Sequence, residues 1–309
     1  MITIYRTSEN GLLQSQTTCS GCWINAINPT PEEIKQIQVL GISHDYITYP
    51  LDLDERSRTE REDGELLIIL RIPYFQGENA DIPYTTIPLG IILTDDYIIT
   101  VSKLDNEILQ SFSNGQIKGL ITAKRLRFVL RILLFTANKY LTYLREIQKT
   151  VDLLEDQLQA STRNKEVLEL LKYQKCLTYF TTALKSNELM MERLRRSGLF
   201  ETYPEDEDLL EDVMTENQQA IEMTNITSNI LSSMMDAFAS IISNNLNVVM
   251  KFLASVTIVL SLPTMVASFY GMNLNLPLDN HPNAFLLTLL FSFILSLTAV
   301  IIFWRRDWF

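Results

Sequence analysis

The fold class expected of this chain is an N-terminal α/β domain, then long α-helices, then a C-terminal hairpin of two transmembrane helices. Three observations predict it. Short β-branched or apolar runs bounded by Gly, Asp or Pro recur within residues 1–122. Residues 123–196 are rich in Leu, Glu, Lys and Arg, and helix breakers are scarce. Near the C-terminus, residues 246–270 carry one charge, Lys251, and residues 284–304 carry none. At ~1.5 Å per residue, each segment can cross a hydrocarbon core of ~30 Å.

The elements follow in order. Thr30-Pro31-Glu32-Glu33 reads as a helix opening, with Thr as N-cap, Pro in the first turn and carboxylates at the positive end of the dipole. Residues 65–72, 88–93 and 97–102 read as strands, with Asp95-Asp96 as a hairpin turn between the last two. A further helix is expected near Asp105. Residues 123–203 form a long antiparallel helical hairpin, broken at Ser161-Thr162-Arg163-Asn164 and closed at Ser197-Gly198 in C-cap fashion. Pro204 opens a third helix, a stalk over residues 204–245 that would reach ~60 Å and run straight into the first span. The remaining segments are span 246–270, loop 271–283, span 284–304 and a basic tail, 305–309.

The 309 residues exceed the usual single domain. A net charge of −11 argues against nucleic acid, which demands clustered cations. Met1-Ile2-Thr3-Ile4-Tyr5-Arg6 is no secretory signal, so the soluble part is expected in the cytoplasm. Lys251, Arg305 and Arg306 flank the spans, whereas residues 271–283 hold no Lys or Arg. By the positive-inside rule both termini face inward and the loop outward, in the plasma (inner) membrane. Cys19-Ser20-Gly21-Cys22 has thioredoxin or half-zinc-site spacing. A structural zinc would need two more soft ligands, and the two histidines, His44 and His281, stand apart. The expected structure is a Ser-Gly turn between small buried side chains. No phosphate-binding Gly loop and no clustered nucleophile and base are present, so an enzyme is not expected.

Two spans cannot enclose a path, so a conduit needs several copies around an axis. In the first span Thr257, Ser261, Thr264 and Ser268 recur at steps of 4, 3 and 4, one stripe of a helix. Backward, the stripe passes through Leu253, Met250 and Leu246, with Asn247 beside it. Such a stripe fits close helix packing as well as a pore lining. The second span carries Thr288, Ser292, Ser296 and Thr298 among bulky apolar residues, and is expected to be the outer, lipid-facing helix.

Tyr270-Gly271-Met272-Asn273 closes the first span, and a second span follows at once. That placement resembles the CorA family of magnesium transporters, whose two C-terminal spans have Gly-Met-Asn at the end of the first. Trp23-Ile24-Asn25 with Asn28-Pro29-Thr30, Leu51-Asp52-Leu53-Asp54-Glu55-Arg56 and Ile98-Ile99-Thr100-Val101 extend the resemblance, in the family's order. It implies a homo-oligomeric, pentameric funnel in the lipid bilayer that conducts Mg²⁺, with Co²⁺ and Ni²⁺ as further cargo. Gly271, Met272 and Asn273 would form the outer selectivity site, Gly271 letting the backbone leave the helix and Tyr270 packing behind the ring. Asn247, Met250 and Leu253 fall on the family's cytoplasmic constriction, where Met250 and Leu253 suit a hydrophobic gate.

The spans contain no Asp, Glu, His or Cys, which inner-sphere carriage of a transition metal would call for. Mg²⁺ sheds water reluctantly, and hydroxyl and amide oxygens can bond its hydration shell. Glu205, Asp206, Glu207, Asp208, Glu211 and Asp212 cluster at the stalk's start and read mainly as solvated helix-opening acids. Asp208, Asp212 and Glu216, however, repeat at i, i+4 and i+8, a like-charge column that a cation would relieve. In the family, carboxylates between cytoplasmic domains bind regulatory Mg²⁺, and Asp212 lies closest to the family's stalk carboxylate. Asp95, Asp96 and Asp105 are candidate partners on a neighbour. The outer loop lacks the acidic Met-Pro-Glu-Leu stretch of well-known members and keeps one acid, Asp279. Two alternatives stay open. One is a zinc or cobalt/nickel transporter, although zinc relatives typically alter the position that Met272 occupies. The other is a non-conducting, membrane-anchored cation sensor.

Overall fold

The computed structural model describes residues 1–8, 11–62, 64–117, 119–160, 164–200, 203–272, 282–306 and 308. The chain divides into two compact units, Met1–Met234 and Met235–Phe309.

The first unit is built on a seven-stranded sheet: β1 (Ile2–Ser8), β2 (Gly11–Ser15), β3 (Trp23–Ile27), β4 (Arg58–Glu62), β5 (Glu65–Phe75), β6 (Tyr84–Leu93) and β7 (Ile98–Ser102). Their order is β2-β1-β3-β7-β6-β5-β4. All neighbours are antiparallel except β3 and β7, which run parallel with Trp23 opposite Ile98 and Val101 opposite Ala26. The three predicted strands are present, and β5 and β6 are longer than expected. Pro73 lies in the extension of β5 and Pro88 opens the run predicted for β6, and a central strand rejects both. Both lie past the residues that β4 and β7 pair with, opposite Thr86 and Arg71. The N–H of Arg71 points away from β6, so by alternation the missing N–H groups of both prolines also fall on the unpaired side.

Period-two alternation feeds two cores. Ile68, Leu70 and Ile72 of β5 join one cluster, while Leu67 and Ile69 join the other. The second cluster is covered by α1 (Pro31–Gln38) and α2 (His44–Thr48). Thr30 caps α1 in a capping box, Oγ1 accepting from the N–H of Glu33 while Glu33 accepts from the N–H of Thr30. A short 3-10 turn, Tyr49–Leu51, presses Pro50 against Gly90 of β6. A Cβ at Gly90 would stand 2.1 Å from Pro50 Cγ, so only glycine fits that strand position.

The first cluster is covered by α3 (Glu107–Ser113), α4 (Arg125–Ala160), α5 (Asn164–Arg196) and the start of α6 (Pro204–Tyr270). Helix α3 begins two residues past Asp105 because Asn106 is its cap, Oδ1 accepting from the N–H of Leu109 at 3.0 Å. Gly198 adopts φ +68° beyond α5, as a C-cap requires. The expected break at 161–163 lies outside the described residues. The second unit holds the C-terminal part of α6 and α7 (Ala284–Arg305).

Candidate functional site

The second unit is a pair of helices long and apolar enough to cross a membrane. Its geometry follows from which residues each helix covers. On α6, Ser255 is buried and Val256, Val259, Leu262, Pro263 and Val266 are half-buried, recurring at helical steps. On α7 the covered positions are Ala284, Thr288, Ser292, Leu295, Ser296, Ala299, Val300 and Phe303. Five of these eight side chains are Ala, Ser or Thr, the residue types usual where helices pair in lipid. An apolar groove of about 730 Å³ lies between the helices, bounded by Val259, Pro263, Leu289 and Phe293. Three of the second span's hydroxyls therefore serve the seam, and its aromatic residues Phe285, Phe291 and Trp304 stay exposed.

The polar stripe of α6 lies on the face that the seam leaves unused. Leu246, Asn247, Met250, Leu253, Thr257, Ser261, Thr264 and Ser268 are all exposed on the single chain, Met250 and Leu253 by 56% and 57%. Intrachain packing thus accounts for Ser255, the one hydroxyl off the stripe, and for none of the other four. The stripe's hydroxyls donate to their own helix: Thr257 to the Leu253 carbonyl at 2.8 Å, Ser261 to that of Ile258 at 2.9 Å, and Thr264 to that of Leu260 at 3.1 Å. Each oxygen keeps acceptor capacity directed outward. Such a surface can accept hydrogen bonds from water held by a cation.

Gly271 continues the helical pattern, its N–H reaching the Ala267 carbonyl at 3.0 Å, and Met272 tightens it to Phe269 at 3.2 Å. Gly271 has no left-handed φ, and an added Cβ would meet only ordinary contacts. Helix α6 ends at Tyr270, and these two bonds complete its last turn. Tyr270, Gly271 and Met272 are exposed. Asn273, Asp279 and His281 lie outside the described residues.

In the first unit Asp208 and Asp212 are exposed and Glu216 is half-buried. Among the described residues no three His, Cys, Asp or Glu side chains converge to hold a metal ion. The rest of the acidic cluster is less uniform than its composition implied. Asp206 is buried, its Oδ1 2.5 Å from Nε of Arg127 on α4, and Glu205 reaches Nη1 of the same guanidinium at 2.8 Å. The hydrogen bond to Asp206 raises the Arg127 pKa. Asp206 is thus a fastening of α6 to α4, not a solvated acid; the sequence held no local sign of Arg127, 79 residues away. Glu207 and Glu211 line a groove of about 780 Å³ with Glu188, Arg195, Gln218 and Glu222. Asp95 and Asp96 are exposed in the β6–β7 turn, where Thr94 Oγ1 accepts from the N–H groups of Asp96 and Tyr97. Asp105 is exposed too and takes a hydrogen bond from Gln110 at 2.7 Å.

The upstream segments hold the fold together. Trp23 Nε1 donates to Thr100 Oγ1 at 2.8 Å, which donates to Asn25 Oδ1 at 3.0 Å, joining the two parallel strands inside the core. Arg71 clasps the 51–56 segment through the carbonyls of Leu53 and Glu55 at 2.6 and 2.9 Å. Burial lowers its pKa.

Residues 20–306 match the family described as CorA-like Mg²⁺ transporter protein. The cobalt/magnesium transport protein CorA of Methanocaldococcus jannaschii is 29% identical over 297 residues, covering 93% of this chain and 90% of that one. The magnesium transport protein CorA of Helicobacter pylori is 23% identical over 297 residues, with the same coverage. The complete structure of the CorA magnesium transporter from M. jannaschii aligns with a TM-score of 0.86 at 25% identity, over 100% of this chain and 99% of that one. With the profile spanning nearly the whole sequence and the fold matched end to end, this chain belongs to the CorA family of Mg²⁺ transporters.

Proposed function

We propose that copies of this chain, five by family resemblance, assemble around an axis lined by α6 and conduct hydrated Mg²⁺ inward across the plasma membrane. The observation that carries the reading is the hydroxyl stripe Thr257, Ser261, Thr264 and Ser268, exposed on the face of α6 that its own α7 does not cover and leading to Gly271-Met272. Hydroxyl oxygens that already donate to their helix offer acceptors to the first-shell waters of the ion. No carboxylate or imidazole lies in either span to strip them. Asn273 carboxamides at the outer mouth select the ion by its hydrated size. Both termini face the cytoplasm, so an interior-negative potential draws a dication inward with about 4.6 kcal/mol per 100 mV.

Met250 and Leu253 close the cytoplasmic end as an apolar ring that dewets when narrow. A hydrated dication cannot enter it cheaply. Cytoplasmic Mg²⁺ bound against Asp208, Asp212 and Glu216, with carboxylates of a neighbouring subunit, holds the oligomer closed by screening like charges. Its loss loosens the packing and the ring widens. Binding follows mass action, so the ion limits its own entry. Co²⁺ is a second cargo; the M. jannaschii relative is named for both ions.

The test is uptake into proteoliposomes of Mg²⁺, Co²⁺ and Zn²⁺ by the intact chain and by Asn273→Ala. The reading expects Mg²⁺ and Co²⁺ uptake by the intact chain and altered selectivity in the variant. Equal fluxes of all three ions in both proteins would overturn it.

A further inference from the structure

We propose that Cys19 and Cys22 form a reversible dithiol–disulfide site, a modification site separate from the conduction path. The two residues bound a tight turn that leads into β3: the Cys22 N–H donates to the Cys19 carbonyl at 3.1 Å, and Gly21 between them adopts φ +77°. A turn closed in this way holds its end Cα atoms within ~7 Å, the range that a disulfide spans. Three neighbours hold the turn in place. The Gly21 N–H donates to the Asp96 carbonyl at 2.8 Å, the Cys22 carbonyl accepts from Ile98, and a Cβ on Gly21 would touch Ala123 at 3.1 Å. The pair is thus preorganised by the sheet and by the residues just before α4.

Access differs between the two sulfurs. Cys19 is partly exposed, whereas Cys22 is buried. The accessible Cys19 thiolate attacks one sulfur of a low-molecular-weight disulfide, RSSR, and releases RS⁻. Cys22 then loses its proton to water and attacks the Cys19 sulfur, expelling the second RS⁻. The two protein thiols give up two electrons and two protons, and RSSR becomes two RSH. Two sulfurs alone fall short of the four ligands of a structural zinc, and among the described residues no third metal-binding side chain joins them. Cys176 stands apart on α5, buried, its Sγ accepting the Tyr84 N–H at 3.4 Å.

The full-length protein in detergent is equilibrated in glutathione buffers stepped from reducing to oxidising, acid-quenched, denatured and assayed for free thiols. The proposal expects the three thiols to fall to one, with a mass loss of about 2 Da that dithiothreitol reverses. Cys176→Ala keeps the loss of two thiols, and Cys22→Ser instead retains a glutathione adduct on Cys19. Three thiols surviving the most oxidising buffer would overturn the assignment. So would a stable adduct on Cys19 of the intact chain while Cys22 stays reduced. Neither result depends on transport.

Discussion

The carboxamide of Asn187 holds both main-chain groups of Arg71: Oδ1 accepts the N–H at 3.0 Å and Nδ2 donates to the carbonyl at 2.8 Å. The β4–β5 ladder ends at Arg58 opposite Ile69, so a side chain of α5 stands where the next strand residue would be. Tyr140 of α4 adds its hydroxyl to the same carbonyl at 3.0 Å. Asn187→Ala leaves the Arg71 N–H to Ser57 Oγ at 3.2 Å and the carbonyl to Tyr140, at a cost of about 0.5–1.5 kcal/mol. Thermal unfolding of the full chain in detergent should fall accordingly, with Asn187→Asp intermediate because it keeps the acceptor alone.

Glu33 gives the soluble unit an acid-sensitive point. Its carboxyl pKa is lowered chiefly by the Thr30 N–H, with the N-terminal ammonium 3.0 Å away also favouring the charged form. A carboxylate whose folded pKa lies below its unfolded value stabilises fully above the unfolded value. That contribution is lost as pH falls through the folded pKa, below the ordinary glutamate value. Glu33→Gln keeps a capping-box acceptor but loses the charge, and should cost about 0.3–1 kcal/mol at neutral pH. The difference from the intact chain should shrink on acidification below that point, and unfolding midpoints across pH check it.

The two faces of α6 separate conduction from packing. Thr257→Val with Thr264→Val removes acceptors from the stripe and should lower Mg²⁺ uptake about tenfold, roughly 1.4 kcal/mol on the barrier, without reducing assembly. Val266→Trp, on the α7 seam, should lower stability and yield of the oligomer instead. Leu253→Ser makes the apolar ring wettable and should raise uptake at high internal Mg²⁺. Fluorescent-indicator flux beside size-exclusion profiles distinguishes these outcomes.

Asp212→Ala removes the middle of the acidic column. Millimolar Mg²⁺ should protect the soluble portion of the intact oligomer from limited proteolysis and protect the variant several-fold less. Equal cleavage of the intact chain with and without the ion would remove the sensing proposal.

Much of the architecture was legible because its signals are local. Thr30, Gly198 and Pro204 mark helix ends by a cap, a left-handed φ or a fixed φ, and each acts within a turn of chain. The spans announce themselves by twenty or more residues with almost no charge. Strands β1, β2, β3 and β4 were not read; Arg58–Glu62 is a charged edge and Gly11–Ser15 is largely exposed. Within the site, the stripe's periodicity was readable, but the sequence left it divided between helix packing and a pore lining.

By itself the chain's order of residues determined the class: an α/β domain, long helices, then an apolar hairpin interrupted at Gly271-Met272-Asn273. Hydropathy, caps and breakers act over a few residues, and that range suffices. The tertiary structure alone decided that β3 lies parallel to β7, that Asp206 is fastened to Arg127, and that Asn187 completes the edge of β5. It also decided that Ser255 belongs to the α7 seam while Thr257, Ser261, Thr264 and Ser268 face away. Those outcomes depend on groups brought together from distant parts of the chain, and on which side of a helix its neighbour happens to cover.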